Sequence, residues 1–294
     1  MKGQMKTMIL CAVFLAVFSG SAYAKLNIVA TLPWIGSITR QIAGNNADIT
    51  TLAKPNQDPH YLAAKPSMIL AARKADLIIY NGLDLEIGYL PVILESSRNP
   101  KLQTGKPGNL DCSGFVLPIG KVDSPDRSMG DVHPLGNPHY HYSPKNIIKV
   151  AGGITERLSQ IDPANETTYR ANLESFKKKF NEKMKEWTSG QLQNKKFIFY
   201  HALYDYICAD FNCTIAGYVE DKPGIPPSSK GIERLIEAMK REKPDKIVSS
   251  AIYPQKEVPF IADKTGVAWV NIPSDIEDGQ DWFSFMDKVI SLIK

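Results

Sequence analysis

The sequence predicts an α/β fold in two lobes, each a small parallel sheet flanked by helices, with one long helix joining them. Three observations predict it. Short apolar runs alternate with amphipathic stretches through the first half, the alternation resumes after residue 195, and one long helical period separates the halves. Strands alternating with helices at this spacing argue for parallel sheets, whose ligands collect in the loops that follow the strand ends.

The first 24 residues are set apart from that fold. Lys2 and Lys6 make a basic start, Met8 to Phe18 an apolar run, and Ala22-Tyr23-Ala24 an A-x-A cleavage site. This is the pattern of a secretory signal, too short to span a membrane. Cys11 has Ile9-Leu10 before it, not the small residues of a lipoprotein site. A soluble exported protein beginning at Lys25 is expected, with cleavage after Ala24. Removing Lys2 and Lys6 lowers the formal net charge from +4 to +2. No basic run suggests nucleic acid or a membrane surface, and no later apolar stretch reaches the ~20 residues of a spanning helix.

Leu26 to Ala30 reads as a buried strand, Trp34 to Ala43 as a helix, and Ile49 to Ala53 as a second strand running into Lys54-Pro55-Asn56-Gln57-Asp58-Pro59-His60. Pro66 opens a helix, where its missing N–H costs nothing. Ala75 to Tyr80 is a third strand, closed by Asn81-Gly82; Pro100 to Asp111 reads as loop and Phe115 to Ile119 as a strand. Ser143 is placed to cap a helix with Pro144 in its first turn. From Asp162-Pro163 the apolar residues Tyr169, Leu173, Phe176, Phe180, Met184 and Trp187 define one face of a long helix, and the lysines opposite read as a solvated face. The expected division is 25–161, a linking helix 162–190, and 191–294. In the second half, Lys196 to Tyr200, Thr214 to Val219, Ile247 to Ile252 and Val267 to Ile272 read as strands, Gly231 to Arg241 and Trp282 to Ile293 as helices.

The chemistry concentrates on histidine. Only five occur, and three of them, His133, His139 and His141, share a loop stiffened by proline and glycine. His60 and His201 follow strands, as does the acidic loop that contains Asp275 and Glu277. Neutral imidazole is the commonest ligand for zinc and similar metals. His60 and His139 before the long helix, and His201 and Asp275 after it, bring two ligands from each lobe to the cleft between them. Three imidazoles and one carboxylate suit tetrahedral Zn2+, with Mn2+ as runner-up. If Tyr140 to Tyr142 is extended, His139 and His141 share a face, and spacing does not choose between them. Cys208 and Cys213 are close enough to pair across a helix end in an oxidising compartment, leaving Cys112; two free buried thiols are the alternative.

These residues carry a resemblance. Asp58-Pro59-His60 with Pro66-Ser67, Ala75-Asp76 and Asn81-Gly82-Leu83-Asp84-Leu85-Glu86 resembles the first ligand segment of the zinc- and manganese-binding solute-binding proteins of bacterial ABC importers. Asn137-Pro138-His139-Tyr140 is similar to the second segment, Tyr200-His201-Ala202-Leu203-Tyr204-Asp205-Tyr206 to the third, and Pro273-Ser274-Asp275 to the last. The resemblance implies two lobes joined by a rigid helix, a metal held between them by His60, His139, His201 and Asp275, and delivery to a membrane permease, with a periplasmic metallochaperone as a further partner. It implies a monomer in the periplasm and no enzyme activity, and His at the third position favours zinc. His141 stands where the family usually has Trp, which makes it a packing residue or an auxiliary ligand. Glu277 is a second carboxylate near the last ligand. His133 is read as capturing metal and passing it inward. The alternatives are a secreted zinc hydrolase, with Glu86 or Glu220 as base, and a metal-dependent adhesin on the same fold. No H-E-x-x-H occurs.

Overall fold

The computed structural model describes residues 24–124, 126, 129–130 and 132–294. The secretory signal falls on 1–24 and so lies, but for Ala24, outside the described residues. Among them, no helix is long and apolar enough to cross a membrane.

Each half builds a four-stranded parallel sheet. In the first, β1 (Leu26–Ala30), β2 (Ala47–Thr51), β3 (Leu77–Tyr80) and β4 (Asn109–Asp111) lie in the order β2-β1-β3-β4. Its helices are α1 (Pro33–Ala43), α2 (Pro66–Lys74), α3 (Leu90–Ser97) and α4 (Pro144–Ile161). Helix α5 (Glu166–Trp187) follows. The second sheet repeats the order as β6-β5-β7-β8, from β5 (Lys196–Phe199), β6 (Thr214–Tyr218), β7 (Lys246–Ser249) and β8 (Trp269–Asn271). Between these strands run α6 (Asp205–Phe211), α7 (Ser229–Glu242) and α8 (Glu257–Thr265), and α9 (Trp282–Ile293) closes the chain. In both sheets the chain reverses its direction of winding beside the central strand, which opens a crevice at the strand ends.

Local sequence accounts for most of this. Trp34, Ile35, Ile38 and Ile42 make the buried stripe of α1. Ser143 caps α4 by accepting the Asn146 N–H, with Pro144 at the first position. The 22 residues of α5 extend ~33 Å and bury Tyr169, Leu173, Phe176, Phe180 and Trp187 against α1, α4 and α9. The helix begins at Glu166, because Pro163–Asn165 forms a separate 3-10 turn.

The structure departs from the sequence expectations at several points. The strand expected at Phe115 to Ile119 is absent; β4 is Asn109–Asp111, inside the stretch read as loop. There the Asp111 carboxylate takes the Ser113 N–H and starts a 3-10 turn over Cys112–Phe115, which ends the strand after three residues. Tyr140–Tyr142 is a 3-10 turn, not extended. The lysine face of α5 is only partly solvated, since Lys179 pairs with Asp281 at 2.6 Å and lies over the Phe283 ring, while Lys183 pairs with Asp287. Helices α3, α6 and α8 were not anticipated; they have seven to nine residues, about two turns each. The sulfurs of Cys208 and Cys213 lie 2.6 Å apart, and Cys112 is buried away from them.

Candidate metal centre

Three strand-end loops and one strap converge between the sheets. His60 lies in the turn after β2, where Asp58 accepts both its backbone N–H at 3.0 Å and its ring Nδ1 at 2.6 Å. Burial alone raises the Asp58 carboxyl, but these bonds bring it below its ordinary value. His201 follows β5 directly, and its Nδ1 meets the Glu220 carboxylate at 2.9 Å. Glu220 follows β6 and is aligned by its own N–H bonding to the Tyr200 carbonyl. His133 bonds through Nδ1 to the Leu83 carbonyl at 2.9 Å. A carbonyl only accepts, so that nitrogen carries the proton. With carboxylates at His60 and His201 and a carbonyl at His133, each Nδ1 is committed outward, and Nε2 is the atom each ring can offer a metal.

The rings themselves lie close together. The Nε2 atoms of His60 and His133 are 3.0 Å apart, a contact that two lone pairs tolerate only with a proton or a cation between them. Ring centroids separate by 5.2 Å for His60 and His139, 5.6 Å for His139 and His201, and 6.2 Å for His60 and His201. The His139 ring is buried with no hydrogen-bond partner at Nε2. Burial, then the nearby His60 and His201 rings, hold it well below its ordinary pKa. Burial, and then His60, lower His133 to about 4. Both rings are therefore neutral and ready to donate.

Asp275 lines a cavity of about 20 Å³ together with His60, His139, His141, Leu85 and Tyr253. That volume suits one ion or one water. Burial raises the Asp275 carboxyl to about 8 against the backbone N–H groups of Ile276 and Trp34. Larger cavities flank the histidines on either side: about 220 Å³ by Val122, His133, His139 and His201, and about 240 Å³ by Asp58, His60, His201 and Glu220. Among the described residues, no three His, Cys, Asp or Glu side chains are already drawn together tightly enough to hold a metal ion.

The two auxiliary candidates beside the strap and the last strand have partners of their own. His141 lines the same small cavity, its ring centroid 6.4 Å from that of His139, but the ring stacks on Trp34 at 6.2 Å and its Nε2 bonds the Ser274 carbonyl at 3.0 Å, leaving Nδ1 buried without a partner. It packs the seam, as the aromatic it replaces is expected to do. Glu277 is paired with Lys288 at 3.1 Å and lines a separate cleft with Arg40 and Lys54. The carboxylates considered as hydrolytic bases are both engaged, Glu220 by His201 and Glu86 by Thr31, Asn81 and Gly82. The role of Glu220 behind His201 was not anticipated; its one signal in the sequence is an acid placed directly after a strand.

Fold and site together define a two-lobed α/β binding protein with a histidine-lined cleft. A family model described as ZnuA, "Zinc-uptake complex component A periplasmic", matches residues 28–294, and the chain belongs to that family. It is 25% identical over 299 residues to the zinc-binding lipoprotein AdcA of Streptococcus pneumoniae, covering 97% of this chain and 59% of that protein. The chain thus spans about three fifths of that relative's length. It is 28% identical over 279 residues to the manganese ABC transporter substrate-binding lipoprotein scaA of Streptococcus gordonii, covering 90% of this chain and 87% of that one. Among solved structures, a crystal structure of ZnuA superposes with a TM-score of 0.76 at 22% identity, over 90% of this chain and 96% of the other. The Cd-bound periplasmic metal-binding protein from candidatus liberibacter asiaticus gives 0.73 at 20% identity, over 90% and 98%. These structures share the two-lobed fold.

Proposed function

We propose that this chain captures zinc, with manganese as the second choice, and delivers it to the permease of an ABC importer. The observation that carries the reading is the meeting of His60, His139 and His201, ring centroids 5.2–6.2 Å apart, in one cleft. Imidazole donors favour zinc over manganese. Asp275 is the fourth ligand, its neutral carboxyl surrendering a proton as the ion arrives, and His133 takes the ion first and passes it on. Four protein ligands close the coordination shell, which suits binding and not hydrolysis, since a catalytic zinc keeps a position open. The organisation that fits is 25–161, the helical linker 162–190 and 191–294, acting as a periplasmic monomer after cleavage behind Ala24, with a metallochaperone as a further partner. Oxidation there joins Cys208 to Cys213, so thiol titration of the unfolded exported protein should find Cys112 alone. Calorimetric titration of metal-stripped protein tests the main reading. One tight zinc site is expected, largely lost in His139→Ala; wild-type affinity in that variant would sink it.

A further inference from the structure

The turn after β3 supplies no ligand, yet its backbone is costly. Gly82, Leu83 and Asp84 are successively left-handed, with φ of 82°, 54° and 61°. Gly82 is obligatory there, because a Cβ would meet the Asp111 Oδ1 at 2.1 Å. Such conformations persist only where surroundings over-determine them. Here the buried Glu86 does so, accepting the Thr31 hydroxyl at 2.7 Å and the N–H groups of Asn81 at 2.7 Å and Gly82 at 3.1 Å. Thr31 follows β1 directly, so Glu86 ties the two central strand ends together.

Asn81, itself fully buried, turns toward the histidine strap. Its Nδ2 donates to the Pro138 carbonyl at 3.1 Å, and its own carbonyl accepts the Tyr140 hydroxyl. Pro138 and Tyr140 are the chain neighbours of His139. The next residue but one, Leu83, holds the His133 ring through its carbonyl. Asn81 Oδ1 is buried with no partner, so the side chain is kept for its donor. An aspartate would set two acceptors face to face at Pro138.

We propose that Asn81, held in its turn by Glu86, is a positioning residue of the metal centre: bracing Pro138 and Tyr140, it sets where the His139 Nε2 points. The inference rests on the metal-site reading above. Supporting groups behind a ligand typically govern 10–100-fold in metal affinity.

The test is titration of the full exported chain with Zn2+ and Co2+, for wild type, Asn81→Ala, Tyr140→Phe, His139→Ala and Asn99→Ala. Asn99 is a buried asparagine that also bonds backbone carbonyls, those of Ala72 and Ala75 at the C-terminal end of α2, and among the described residues it makes no hydrogen bond to the histidine strap. Asn81→Ala should bind zinc about 10-fold more weakly, with an altered Co2+ d–d spectrum; Asn99→Ala should lower the melting temperature yet bind as wild type does. Tyr140→Phe deletes one oxygen and carries the same test if Asn81→Ala does not fold. Unchanged affinity and spectrum in the folded variants, or an equal loss in Asn99→Ala, would overturn the inference. Wild-type affinity in His139→Ala would instead overturn the metal-site reading itself.

Discussion

The Nε2 atoms of His60 and His133 face each other at 3.0 Å, although 73 residues separate them in the chain. Two nitrogens on one tetrahedral zinc, each at ~2.0–2.1 Å, stand about 3.3–3.4 Å apart. The pair is therefore within a few tenths of an ångström of sharing an ion. If His133 is a transfer ligand, His133→Ala should slow zinc association in stopped-flow measurements far more than it weakens equilibrium binding. A loss of affinity as large as that of His60→Ala would make it a resident ligand and displace Asp275.

Proton release provides a second check. Burial keeps the Asp275 carboxyl protonated up to about pH 8, well above its ordinary 3.8. Coordination requires the carboxylate, so zinc binding at pH 7 should release close to one proton, and affinity should climb as pH rises to about 8 before levelling. Calorimetry in buffers of different ionisation enthalpy measures the release. Asp275→Asn should abolish it; an unchanged release would assign the proton elsewhere.

The carboxylate behind His201 should matter as much as some ligands. Glu220→Ala removes the partner that fixes the His201 Nδ1 proton and is expected to weaken zinc binding about 10–100-fold. Equilibrium titration against a competing chelator reads this directly, and wild-type affinity would show that the tautomer is set without it.

Stability should carry a separate pH signature. Burial raises Glu86 from 4.5 to about 7, against the donors Thr31, Asn81 and Gly82. A raised carboxyl means the folded state holds a proton that the unfolded chain releases. The stabilisation is present below about pH 4.5, declines as pH rises to about 7, and amounts to about 3 kcal/mol. Urea unfolding of metal-free protein from pH 5 to 8 should show that decline on top of the one that the raised Asp275 carboxyl contributes, and Glu86→Gln should make the slope below pH 7 shallower without abolishing it. The same slope in both would exclude Glu86 as its source.

The seam between lobes can be tested through packing. Phe283 on α9 is buried against Phe176 at 4.8 Å and beneath Lys179. Phe283→Ala should cost about 3–5 kcal/mol in chemical denaturation. A loss below about 1 kcal/mol would mean that α9 is not cooperatively docked on α5.

Legibility in the sequence followed length and pattern. Helices α1, α4, α5 and α9 were visible because each carries a long apolar period, reinforced at α4 by the Ser143 cap, and β1 and β5 because buried parallel strands read as continuous apolar runs. The two-turn helices and the three-residue β4 escaped because so few residues cannot establish a period. His60 and His201 were recognisable by their place after strands. The different surroundings of His139 and His141 were not, since they depend on the 3-10 turn over Tyr140–Tyr142, and spacing alone left the choice between the two rings open.

By itself the sequence determined the class of fold, the family, and which histidines and which aspartate are available, because periodicity, turn chemistry and ligand residue types are local properties. Only the tertiary structure decided which ring nitrogens point inward, that His133 meets His60, that His141 packs on Trp34, and that Asn81 and Glu86 stand behind His139. Those are relations between atoms brought together from distant parts of the chain. Their distances, burial and proton positions exist only once both sheets, α5 and the strap at residues 137–143 have packed against one another.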